Sequence, residues 1–150
     1  MNDHEYAATV AWAGSTASGY TTYSREHDVQ WSDEVVTLSA DAAFRGDASL
    51  PNPEQLLVAA ASSCQLLSFL AVASLAGVDV VSYRDDATAV MPAASTPTRI
   101  TRIDLAPRIG VRRADPDVVL RLVREAHDGC YIANSVSADV VVTPTVEVLP

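Results

Sequence analysis

From Leu56 to Ala76 nearly every side chain is apolar, and the run opens with Asn52-Pro53-Glu54-Gln55. That opening is a helix start: asparagine caps, proline suits the first helical position, and glutamate meets the positive end of the helix dipole. Gly77 closes the segment. A helix that is apolar all round must be covered all round. The run is about long enough to cross a bilayer, but Ser62, Ser63, Gln65, Ser68 and Ser74 interrupt it and no basic cluster flanks it. A buried central helix is therefore expected, and no membrane partner. With 150 residues the chain has little material to cover the far side. A second copy is the simplest cover, so a two-fold homodimer with a large apolar interface is expected.

The flanking sequence supplies strands. Residues 7–13, 20–31 and 34–39 read as strands around a turn-rich break at 14–19, and 41–51 reads as a loop holding Phe44-Arg45-Gly46-Asp47. Residues 79–91 and 98–111 read as a long antiparallel pair joined by the Pro-rich stretch 92–97. Asp115-Pro116-Asp117 starts a second helix with Val118, Leu122 and Ala126 on one face, and Gly129 should end it in the left-handed conformation. Residues 137–149 read as a closing strand. The order predicts one α+β domain over 1–150, its antiparallel-dominated sheets wrapped around the apolar helix.

Charge narrows the function. The formal net charge is -9 and all ten basic residues are arginines set singly or in pairs, which disfavours nucleic acid. Met1-Asn2-Asp3-His4-Glu5 is unlike an export signal, so a cytoplasmic protein is expected. There is no phosphate-binding glycine loop, and Ser62-Ser63 lack the glycine frame of a serine nucleophile. No cofactor is implied. A metal held by Cys64, Cys130 and His127 would lack any closely spaced ligand pair.

The two cysteines, Cys64 inside the apolar run and Cys130 after the second helix, leave three readings open. They are a redox pair, since an oxidised thiol needs a second thiol to bring it back; they are core filler; or they are incidental to a module that binds a small hydrophobic ligand. For Cys64 to act as a nucleophile, a cation should stand close, because apolar burial alone raises a thiol's pKa. Arg45 and Arg25 are the candidates, with Glu54 as the carboxylate that holds one of them. Ten positions separate Glu54 from Cys64, about 15 Å on a continuous helix, so one site using both draws on a mobile loop or on a partner chain.

Asn52-Pro53-Glu54-Gln55-Leu56-Leu57, Ala59-Ala60-Ala61-Ser62-Ser63-Cys64, Ala76-Gly77-Val78 and Gly129-Cys130-Tyr131-Ile132-Ala133-Asn134-Ser135-Val136 together resemble the OsmC/Ohr family of osmotically inducible and organic hydroperoxide resistance proteins. Ser24-Arg25-Glu26-His27 and Phe44-Arg45-Gly46-Asp47 look closest to the OsmC-like branch. The resemblance implies an OsmC-like fold in an intertwined homodimer and a thiol peroxidase acting on organic hydroperoxides. It assigns Cys64 as peroxidatic, Cys130 as resolving, Glu54 as the carboxylate positioning the arginine, and Arg45, with Arg25 second, as that arginine. An external dithiol would complete the cycle. Tyr131 stands where many members have proline, and Gln65 where phenylalanine is common.

Overall fold

Asn52 and Gln55 start the longer helix, α1 (Pro53–Leu75), reciprocally. The Asn52 side chain accepts the Gln55 N–H at 2.9 Å, and the Gln55 side chain accepts the Asn52 N–H at 3.0 Å. This is a capping box, which satisfies two amides that no helix turn can reach. At the other end Gly77 adopts φ +71°, a conformation open to glycine at no steric cost. The computed structural model describes residues 3–150, and the chain forms two compact units, Met1–Leu56 and Leu57–Pro150.

In the first unit, β1 (Thr9–Ala11), β2 (His27–Trp31) and β3 (Glu34–Leu38) form an antiparallel meander. The expected strand 20–31 is shorter at its start. Residues 20–23 are turns, because Thr22 and Tyr23 send their N–H groups back to the Gly19 carbonyl. Alternation of residue types does not distinguish that turn from a strand. The loop 41–51 contains a short 3-10 turn capped by Asp41 and ended by Arg45 at φ 68°. Gly46 is obligatory there: a Cβ at that position would sit 1.7 Å from the Ala40 carbonyl oxygen.

In the second unit the expected long pair 79–91 and 98–111 pairs as predicted but breaks in the middle. β4 (Asp79–Asp85) pairs with β7 (Pro107–Arg112), while β5 (Thr88–Val90) pairs with β6 (Arg102–Leu105). The break has a cause at Asp85, whose carboxylate accepts the Ala106 N–H at 2.7 Å and the Ser62 hydroxyl at 2.6 Å. A side chain thus takes a backbone amide next to Pro107, which has no N–H to give. The closing segment 137–149 likewise splits, at Thr143-Pro144, into β8 (Asp139–Val142) and β9 (Thr145–Leu149). These two strands join β6 and β7 in parallel, so the second unit's sheets, β4-β7-β9 and β5-β6-β8, are mixed. With the first unit's meander included, antiparallel pairs outnumber parallel ones among the described residues.

The second helix, α2 (Pro116–Asp128), is capped by Asp115, which accepts the Asp117 N–H at 2.9 Å. Its buried face is Val119, Leu122, Val123 and Ala126, packed with Phe69, Ala73, Ile109 and Val111. Gly129 ends it at φ −92°, not in the left-handed conformation expected. Its N–H bonds the Glu125 carbonyl, so the chain turns without a positive φ. From α1 a single stripe at four-residue spacing, Ala61, Gln65, Phe69 and Ala73, is buried. Its other faces are not: Leu67 is 64% and Leu75 is 89% exposed.

Candidate thiol site

Local structure brings the two sulfurs of the second unit together. After Gly129 the chain makes a tight turn into a 3-10 segment, Ala133–Ser135. The Asn134 N–H bonds the Cys130 carbonyl, the Asn134 side chain bonds the Asp128 carbonyl, and the Ser135 hydroxyl bonds the Tyr131 carbonyl. This fixes the amides that follow Cys130. The Ile132 N–H donates to Cys64 Sγ at 3.5 Å. Cys64 is half-buried, Cys130 is buried, and both are free thiols.

The two thiols are driven in opposite directions. Burial pushes Cys64 up, but the Ile132 N–H, the Cys130 thiol, the Tyr131 N–H and the Ser68 hydroxyl together outweigh it. Cys64 therefore sits below the usual thiol range. Burial also pushes Cys130 up; the Ala133 N–H opposes, while its hydrogen bond to Cys64 and the charge there add to the rise. Cys130 acts as the donor and Cys64 as the acceptor. Within the chain, neutral donors offset the burial of Cys64, because each N–H, S–H or O–H pointed at sulfur stabilises the thiolate selectively. Sequence reasoning missed all of these donors except Cys130. Only Ser68 left a signal, four residues on from Cys64 and so on the same helix face.

The predicted arginines and Glu54 lie in the first unit. Arg25 donates to the carbonyls of Tyr23 at 2.8 Å and Tyr20 at 2.7 Å. Its guanidinium lies 4.1 Å from the Tyr23 ring centroid and 5.0 Å from that of Tyr20, so two aromatic faces hold it. Arg25 and Glu54 both line a cavity of about 430 Å³ whose apolar wall includes Val10, Trp12, Phe44 and Pro53. Arg45 does not line it; its guanidinium lies 5.7 Å from the Tyr20 ring. Among the described residues, Arg25, Arg45 and Glu54 form no ion pair within the chain. Backbone carbonyls and rings orient Arg25 instead of Glu54. α1 is unbroken from Glu54 to Cys64.

These features define a class: an α+β protein with a paired-thiol centre on a long apolar helix. The chain belongs to the OsmC-like protein family, whose model matches residues 46–145. A solved OsmC-like protein of unknown function from Vibrio cholerae O1 biovar eltor is 28% identical, with 98% of this chain and 100% of that one covered at a TM-score of 0.84. An organic hydroperoxide resistance protein from Elizabethkingia anophelis, with thiocyanate bound, shares the fold at 17% identity, 99% coverage of both chains and a TM-score of 0.68. So does an organic hydroperoxide resistance protein OsmC from Legionella pneumophila, at 18% identity, 97% and 99% coverage and a TM-score of 0.65. No curated protein matches the chain. α1 is long and apolar enough to span a membrane, and one stripe of it is buried within the chain.

Proposed function

We propose that the protein is a single-domain, thiol-dependent peroxidase that reduces organic hydroperoxides to alcohols. The observation that carries this reading is the meeting of the two thiols at the turn after α2, where the Ile132 N–H donates to Cys64 Sγ at 3.5 Å. The pair is opposed there: Cys64 is lowered and accepts hydrogen bonds, Cys130 is raised and donates one. A nucleophile and a reserved second thiol need that asymmetry. The Cys64 thiolate attacks the terminal oxygen of R-O-O-H and the O–O bond breaks. The alkoxide leaves and takes a proton as the alcohol, and Cys64 becomes a sulfenic acid. Cys130 sulfur then attacks Cys64 sulfur, its proton leaves with the displaced hydroxide as water, and a disulfide remains. An external dithiol returns both thiols.

Arg25 is the arginine we assign to the charge that develops on the peroxide oxygens, ahead of Arg45. It shares an apolar cavity with Glu54, and a guanidinium held by two rings is already ordered. We assign these groups to a homodimer in which a second copy contributes them. The exposed leucines of α1 support that assembly, and the family match across residues 46–145 supports one domain.

Titration of the reduced protein with a bulky organic hydroperoxide should consume two thiols and join Cys64 to Cys130, and Arg25→Ala should slow the reaction more than Arg45→Ala does. The proposal fails if both thiols stay free while a general oxidant modifies them. The cavity favours one alternative, a non-catalytic dimer that holds a small hydrophobic ligand; Cys64→Ser retaining both ligand binding and biological effect would establish it.

A further inference from the structure

Three polar atoms buried in the second unit have no hydrogen-bond partner: Gln65 Oε1, Tyr83 Oη and His127 Nδ1. Gln65 is fully buried. An orphaned polar group in a core costs about 1–3 kcal/mol, so three around one core need an explanation.

Their placement supplies it. Gln65 follows Cys64 on α1, and its amide nitrogen donates to the Val123 carbonyl of α2 at 3.2 Å. His127 lies four residues beyond Val123, on the same face of α2, and its own carbonyl accepts the Cys130 N–H at 3.1 Å. Tyr83, on β4, packs its ring 6.1 Å from that of Phe69, one turn along α1 from Gln65. Phe69, Tyr83, Val123 and Ala126 belong to one core cluster. The three orphans therefore sit on α1, α2 and β4, elements that these contacts tie together.

Their chemistry is complementary. The tyrosine hydroxyl is a donor without an acceptor; the amide oxygen is an acceptor without a donor; a neutral imidazole carrying its proton on Nε2 offers Nδ1 as a second acceptor. Burial, then Asp85, then Cys130 hold the Tyr83 phenol well above its ordinary range, so it stays a donor. One water placed among them would accept from the tyrosine and donate to the other two, the three bonds typical of a buried water.

We propose that Gln65, Tyr83 and His127 bind one buried water, and that this hydrated node locks the end of α2 to α1 and so sets Cys130 opposite Cys64. Tyr83 is a positioning residue for disulfide closure. In its role the proposal rests on the peroxidase reading, but the geometry is testable without it. Diamide closes a dithiol stoichiometrically: one thiolate adds to the N=N bond, the second displaces it, and the azo group leaves reduced to a hydrazine.

The measurement is the rate of diamide-driven Cys64–Cys130 closure in the full chain, for wild type, Tyr83→Phe, Gln65→Met and the double variant. Tyr83→Phe keeps the ring on Phe69 and removes only the hydroxyl. Each single variant should close about tenfold more slowly, the worth of about one hydrogen bond, and the double variant no more slowly than either, because both break one shared site. The rate of first-step labelling of Cys64 by iodoacetamide should be unchanged in Tyr83→Phe. Unchanged closure, or losses that multiply in the double variant, would overturn the node. If wild type closes with diamide as predicted but ignores organic hydroperoxide, the peroxidase reading falls and the node stands.

Discussion

The two helices solve the same problem, burying an apolar surface, in opposite ways; α1 carries one thiol and the other lies just after α2. α2 is amphipathic: Val119, Leu122, Val123 and Ala126 face the core while Arg121, Arg124, Glu125 and Asp128 are exposed. Its packing is complete within the chain, and the cysteine that follows it is buried and held protonated. α1 buries only one stripe and leaves leucines exposed on the others. Its cysteine is half-buried, reached by neutral donors and driven toward the thiolate. The finished helix precedes the thiol held protonated, and the unfinished one carries the thiol driven toward the thiolate.

The largest effect should come from marking the unfinished face. In the proposed dimer Leu67→Arg together with Leu70→Arg removes two buried leucines, each worth about 1.5–3 kcal/mol, and puts charge in their place. Sedimentation should show a dimer for wild type and a monomer for this variant. Arg121→Ala on the outer face of α2 should leave the assembly unchanged. If both proteins sediment alike, the contrast between the helices has nothing to do with assembly.

A smaller effect separates the thiols. Alkylation rate against pH should reach half-maximum below the free-cysteine value for Cys64 and above it for Cys130. The sign follows from the partners: donors to the Cys64 sulfur favour its charged form, whereas charge on Cys64 disfavours a second charge on Cys130. Replacing Cys130 with alanine removes one donor, so the Cys64 midpoint should rise while the backbone amides keep part of the depression. Equal midpoints for the two thiols would remove the asymmetry on which the proposed function rests.

The smallest effect concerns how α1 starts. Asn52→Ala breaks the reciprocal cap and should cost about 1 kcal/mol in denaturant unfolding. The Gln55→Ala loss should be smaller, and the two losses should not add if the cap acts as one unit.

Residue chemistry along the chain was enough to place both helices. Asn52, Pro53, Asp115 and Pro116 act through bonds and dihedrals spanning a few residues, so their signals are local and readable. The same locality made the segment around Phe44-Arg45-Gly46-Asp47 legible as a loop. The strand interruptions were not legible. The Asp85 carboxylate breaks a ladder by binding Ser62 and Ala106, partners more than twenty positions away. The candidate site divides along the same line. The identities of Cys64 and Cys130, and the family they mark, were present in the sequence. Their donors were not, since the Ile132 amide meets Cys64 only after the chain between them has folded.

What the sequence determined by itself was the helices, the α+β class, the two thiols and the apolar excess of α1, all consequences of side-chain chemistry read within a turn or two. Tertiary structure alone decided which thiol is lowered, that backbone amides together with the Cys130 thiol and the Ser68 hydroxyl lower it, and that Arg25 rather than Arg45 lines a cavity with Glu54. Those outcomes depend on distances between residues remote in the chain, and a hydrogen bond or a desolvated charge has its effect only at the separation that packing imposes.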